Sequence, residues 1–187
     1  MKKVFLNLIL LIGFSLIANA QIVFSTGQTL KKGAYSIGVE PVYSDGANFA
    51  LFLHGGYGLG KNSDLGVKLG FGWSGTYVGV DYEKAFLVGK PYVSVFTGAH
   101  YNNDFGLDLG TIITFPVKNI YLSTGLDMDL NFGNNKNNND LNLYMPMWLP
   151  LELEVYLQKH LSLIFEANIK LTSTAFTTIG GGLSVYF

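Results

Sequence analysis

From residue 34 onward the apolar residues recur at every second position, and this period constrains the fold more than any other feature. Leu65, Val67, Leu69 and Phe71 alternate with Gly66, Lys68, Gly70 and Gly72. Leu122, Thr124, Leu126, Met128, Leu130 and Phe132 share one parity, and Ser123, Gly125, Asp127, Asp129 and Asn131 share the other. Successive side chains of a strand point to opposite faces, so each such stretch has one greasy and one small or polar side. Ten segments follow the pattern, at about 34–43, 48–57, 64–73, 76–86, 92–101, 105–115, 120–132, 142–157, 160–171 and 175–187. Pieces rich in Gly, Asn, Asp, Ser and Pro separate them, such as Ser44-Asp45-Gly46 and Asn102-Asn103-Asp104. Short polar links of this kind make chain neighbours antiparallel. The segment 142–157 contains Pro146 and Pro150. Each removes a ladder donor, which predicts a bulge or a rise above the rim there.

Alternation alone also fits a soluble sandwich or a water-soluble barrel with an apolar ligand cavity. The placement of charge decides between them. When each segment's apolar parity is turned outward, the opposite parity carries Glu40, Asp64, Lys68, Asp81, Glu83, Asp108, Asp127, Asp129, Glu152, Glu154, Glu166 and Lys170. The apolar parity carries Lys84 near a strand end, where its ammonium can reach past the rim. Most of the chain's glycines share the charged parity, so that face is small as well as polar. Leucines would overfill a ten-strand interior, whereas glycines and carboxylates suit one. Grease outside and polarity inside require hydrocarbon as the solvent, and hydrocarbon forbids an open sheet edge. The reading is therefore all-β: a closed antiparallel up-and-down transmembrane β-barrel of about ten strands, with eight or twelve as alternatives. Outward Tyr43, Phe49, Trp73, Tyr101, Phe105 and Phe132 fall at one rim, and Tyr35, Tyr57, Phe115 and Phe187 at the other. Two such belts are expected where a barrel meets two membrane interfaces.

The N-terminus has a different pattern. Lys2-Lys3, an apolar run from Val4 to Ile17 and Ala18-Asn19-Ala20 form the three parts of a cleaved secretory signal, placing residues 1–20 in a signal peptide. Residues 21–32 fit no strand and are expected to form a periplasmic tail or a small plug, with 33–187 as the barrel. At the other end Ile179, Gly181, Leu183, Val185 and Phe187 alternate up to the last residue. This pattern resembles the terminal strand of small bacterial outer-membrane β-barrel proteins. The resemblance covers the last ten residues closely and the remaining barrel segments in pattern. It implies the outer membrane of a Gram-negative-type bacterium, contact with outer-membrane lipid, and engagement of the barrel assembly machinery through Leu183, Val185 and Phe187.

The chemistry legible in the sequence is mostly exclusion. The chain has no cysteine, which removes disulfides, thiolate metal sites and thiol nucleophiles. All 12 basic residues are lysine and the formal net charge is −1, so nothing suggests nucleic acid as a partner. No phosphate loop, nucleophile elbow or zinc-protease motif is present. No cofactor is expected, and an enzyme is not the favoured reading. The luminal carboxylates Glu40, Asp81, Glu83, Asp108, Asp127, Asp129, Glu152, Glu154 and Glu166 point to a structural barrel or a narrow cation-preferring channel. Inward Phe52, Tyr77, Phe96 and Trp148 favour a closed lumen over an open one. His100, Asp108, Asp127 and Asp129 converge near one end. That arrangement permits a metal site or a rim acid–base pair, although a plain polar network is the more economical expectation. An outer-membrane enzyme using this rim, or a soluble periplasmic apolar-ligand binder, are the alternatives.

Overall fold

The computed structural model describes residues 26–46, 48–72, 75–134 and 141–187, with the side chains of Asn134, Leu141 and Asn142 excepted. The predicted signal peptide, Trp73 and residues 135–140 of the Asn-rich loop lie outside these. The described chain forms β1 Tyr35–Ser44, β2 Phe49–Gly58, β3 Ser63–Gly72, β4 Gly75–Leu87, β5 Tyr92–Asn102, β6 Asp104–Val117 and β7 Ile120–Asn134. It continues with β8 Leu141–Tyr144, β9 Met147–Gln158, β10 Leu161–Lys170 and β11 Thr178–Tyr186. Consecutive strands pair antiparallel, and β1 pairs with β11 from Ser36↔Tyr186 to Ser44↔Thr178, which closes the ring. β8 and β9 both pair with β7 and act as one interrupted stave, so the barrel has ten staves.

The prolines interrupt that stave without shifting it. Asn131 faces Tyr144 above the break, and Met128 faces Met147 below it, which preserves one register across Met145-Pro146. The predicted bulge at these prolines is therefore absent. Pro146 instead uses its carbonyl to accept the Asp129 N–H at 3.0 Å. Pro150 pairs opposite Asn168 on β10, and the β7–β9 ladder skips its level. The register shifts occur elsewhere, between Ala85 and Leu87 and between Leu161 and Ser162, next to turns.

The outer wall is greasy all the way round. Ile37, Leu53, Val67, Val80, Tyr101, Leu109, Leu126, Leu151, Phe165 and Leu183 are exposed, one on each stave around the circumference. The described aromatics cap this belt: Tyr35 stacks on Phe187 at 4.8 Å, and Phe105 on Phe132 at 6.0 Å at the opposite rim. Contiguous apolar patches beyond a few hundred Å² are not tolerated in water. The molecule is a transmembrane barrel, and the soluble apolar-ligand alternative fails because the strand leucines such as Leu53, Leu109, Leu126 and Leu151 are exposed on the outer wall instead of lining an apolar interior. Lys170 departs from its expected luminal place. It lies at the rim and pairs with Asp45 of the β1–β2 turn at 2.7 Å. That hydrogen bond holds the Asp45 carboxyl below its usual range.

The inner wall is packed by matching a large side chain with a glycine on the neighbouring strand. Phe52 pairs across from Gly70, Phe96 from Gly110, His54 from Gly38 and His100 from Gly106. A methyl on Gly110 would lie 2.3 Å from Phe96 Cζ and 2.6 Å from the Leu126 carbonyl. These rings occupy the space above the facing glycines.

Two outcomes are expected. Gly110→Ala destabilises the barrel by about 1–3 kcal/mol through overpacking, whereas Gly55→Ala, whose methyl would meet its nearest atom at 3.5 Å, is close to neutral. Leu109→Arg, outward and mid-strand, costs about 2–4 kcal/mol, and Val117→Arg at the rim about 0–1 kcal/mol. Urea titration of the barrel refolded into lipid vesicles measures both pairs, and equal losses within a pair would contradict the assigned faces.

Candidate functional site

Every described luminal acid predicted from parity faces the interior, and the barrel gathers most of them into two groups, with Asp64 and Glu83 apart from both. In a ten-stave barrel, residues opposite one another on adjacent staves continue as a row around the wall. One row contains Asp81, Gly98, Asp108 and Asp129 on β4 to β7. The row nearer the rim contains Gly79, His100, Gly106 and Asn131. On the opposite wall Glu152 pairs directly across from Glu166, and Glu166 from Gly180.

The first group contains the predicted rim cluster. His100, Asp108 and Asp129 present ligand atoms that all lie within 4.8 Å of one another. His100 Nδ1 contacts Asp108 Oδ1, and His100 Nε2 lies 2.9 Å from Asn131 Oδ1. Tyr77 stacks on the imidazole at 5.3 Å, and the ring fills the space that a side chain at Gly106 would need. The imidazole is thus fixed by four groups. Asp127 does not join this trio. It sits one row deeper, opposite Gly110 and Trp148, within electrostatic reach of Lys68 and Asp108. Lys68 Nζ pairs with Asp81 at 3.1 Å.

The second group comprises Glu40, Glu152, Glu154 and Glu166. Glu154 accepts the Tyr186 hydroxyl, and Glu166 accepts Asn168 Nδ2. Asn168 Nδ2 also reaches Thr178 Oγ1 at 3.4 Å. Glu40 is 0% exposed, and neither of its oxygens has a hydrogen-bond partner. Glu83 lies on a third part of the wall, opposite Phe96 and Asp64.

Residues 26–30 run along the inside of the wall at the end where β1 begins and β11 finishes, and the exposed Lys31, Lys32 and Gly33 lead on into β1. The Gly27 N–H donates to Thr114 Oγ1 at 2.8 Å, and the Leu30 N–H to Asp64 Oδ2 at 2.7 Å. A cavity of about 80 Å³ remains between Thr26, Gln28 and Leu30 on one side and Lys68, Glu83 and Glu152 on the other. At the opposite end Trp148 is buried and donates its indole N–H to the Phe176 carbonyl at 2.8 Å. Phe52, Tyr77 and Phe96 are buried between the two ends.

The sequence pattern had placed the acids but had not connected Asn131 to His100. Asn131 shares the inward parity of Asp127 and Asp129, and that was the available signal. The N-terminal main chain carries no side-chain signal at Gly27, so its contacts could not have been read from composition. Of the C-terminal trio, Leu183 and Phe187 face outward, and Val185 is half-buried opposite Leu161.

No family model and no curated protein sequence matches the chain. Among solved structures, the chain resembles a de novo designed transmembrane β-barrel at 11% identity and TM-score 0.46, covering 85% of this chain and 99% of that one. It also resembles the N-terminal β-barrel domain of Pseudomonas aeruginosa OprF, at 13% identity and TM-score 0.41, covering 84% and 100%. The Acinetobacter baumannii outer membrane protein Omp33 matches at 11% identity and TM-score 0.44, covering 83% and 99%. The membrane assignment rests on the chain's own apolar circumference and closed ladder, independently of these likenesses.

Proposed function

We propose that this chain is an outer-membrane barrel that does not conduct: a sealed structural stave ring, with residues 26–32 as a plug at its periplasmic mouth. The filled cross-section carries the reading. Phe52, Tyr77, Phe96, His100 and Trp148 are each at most 5% exposed, and all five project into the interior, from β2, β4, β5 and β9. The cavity of about 80 Å³ beside residues 26–30 has room for a few waters. The even stave number puts both ends of the barrel on one side, which is the periplasmic side in barrels of this construction. The alternating C-terminal strand with outward Leu183 and Phe187 supports delivery by the barrel assembly machinery, preceded by cleavage of residues 1–20.

A catalytic rim finds no support in the geometry. His100 and Asp129 are 3% and 0% exposed, so a substrate has no approach to them. The cation-preferring channel of the sequence reading survives only as a property of an opened barrel. If the obstructing rings were removed, the walls left behind would be lined by Glu40, Glu83, Asp108, Asp127, Glu152 and Glu166.

Planar-bilayer recording tests this reading. The mature chain is expected to give no conductance steps, and so is the chain lacking residues 21–32, because the aromatic layer remains. Combining that deletion with Phe52→Ala, Tyr77→Ala and Phe96→Ala is expected to give small, cation-selective steps. Steady conductance of the unmodified barrel would overturn the proposal.

A further inference from the structure

The luminal acids could be neutralised by protons or by a bound cation, and one cluster favours the cation. Asp108 and Asp129 stand directly opposite each other on β6 and β7, on the same face. Asp129 is 0% exposed, and neither of its oxygens has a hydrogen-bond partner. The group directly across from it is a second carboxyl, Asp108, and when both are ionised neither has a proton to offer the other. An ionised carboxylate buried without compensation costs several kcal/mol. An imidazole sits within reach of both acids, and it is rigidly held by the Tyr77 stack and by Asn131 Oδ1. Lys68 is paired with Asp81 at 3.1 Å and acts on Asp129 only through space, with no hydrogen bond to it.

We propose that His100, Asp108 and Asp129 hold a divalent transition-metal ion of the zinc class within the barrel wall, cross-linking β5, β6 and β7. One imidazole nitrogen and two carboxylate oxygens suit that class of ion better than calcium or magnesium, which prefer oxygen alone. Ligands at about 2.0–2.2 Å from a tetrahedral ion stand about 3.3–3.6 Å apart, so the widest pair allowed by the observed 4.8 Å envelope would have to close by somewhat more than about 1 Å, a rotamer-scale movement. Asn131 Oδ1, on the far side of the imidazole, positions the ring. The site is enclosed, so the ion is taken up during folding and released slowly. Its role is to fasten three neighbouring strands; no reaction is assigned to it.

The test refolds the mature barrel into detergent micelles with zinc chloride or with chelator, removes free metal by gel filtration, and measures zinc per folded barrel. Heat-modifiable gel mobility reports folding. The wild type refolded with zinc is expected to retain one zinc per chain. His100→Gln and Asp129→Asn are each expected to retain at least tenfold less, whereas His54→Gln, His160→Gln and Asp127→Asn retain it. Should His100→Gln or Asp129→Asn fail to fold, zinc-edge X-ray absorption of the wild type decides, and a single imidazole among oxygen ligands is expected. Overturning results are zinc no higher in the wild type than in a folded Asp129→Asn variant, loss of zinc with His54→Gln or His160→Gln, or a zinc shell without imidazole. A conducting barrel that still holds this zinc would overturn the sealed-lumen reading alone.

Discussion

The rest of the structure depends on one constraint: no backbone N–H or C=O at the outer wall can be left to hydrocarbon. A strand ladder satisfies these groups only if it has no edge. The pairing of β1 with β11 supplies the last seam, from Ser36↔Tyr186 through Ser44↔Thr178. Once the ring closes, each stave's parity sorts its side chains between lipid and lumen. Pro146 and Pro150 show how strictly the ladder is kept. They lack donors, yet β8 and β9 hold one register against β7, and the Pro146 carbonyl still serves Asp129.

Closure creates a narrow interior with its own packing problem, and glycine solves it. A ten-stave lumen is too tight for large side chains on adjacent strands at one level. At several rings the neighbour is therefore reduced to a hydrogen, as at Gly70 beside Phe52 and Gly110 beside Phe96. The same device seats His100 over Gly106 and leaves its two nitrogens facing Asp108 and Asn131. Glycines that look permissive in the sequence are thus the positions least able to accept a side chain.

The price of this architecture is electrostatic. Acids that would be solvated in a wide pore are here enclosed, and they find hydroxyls, amides, Lys68 or one another. Glu154 takes the Tyr186 hydroxyl, Glu166 takes Asn168, and Asp81 takes Lys68. Asp129 and Glu40 receive no hydrogen bond and are fully buried. The rim salt bridge between Lys170 and Asp45 differs in kind, being solvated on both sides and contributing little to stability.

The sequence by itself determined the period, a barrel of about ten staves and the face of most strand residues, Lys170 being an exception, because alternation is local and survives without knowledge of partners. It also placed Glu40, Asp127, Asp129 and Glu154 inside, and the leucines outside, on the same grounds. The tertiary structure alone decided what lies across from what. The juxtaposition of His100 with Asn131, the setting of Asp127 apart from the His100 trio, and the reach of Gly27 to Thr114 all depend on register between strands far apart in sequence. Whether the lumen is open depends on the ring's diameter and on which large side chain meets which glycine. Parity fixes the direction of each side chain, but only closure brings those directions to a common axis.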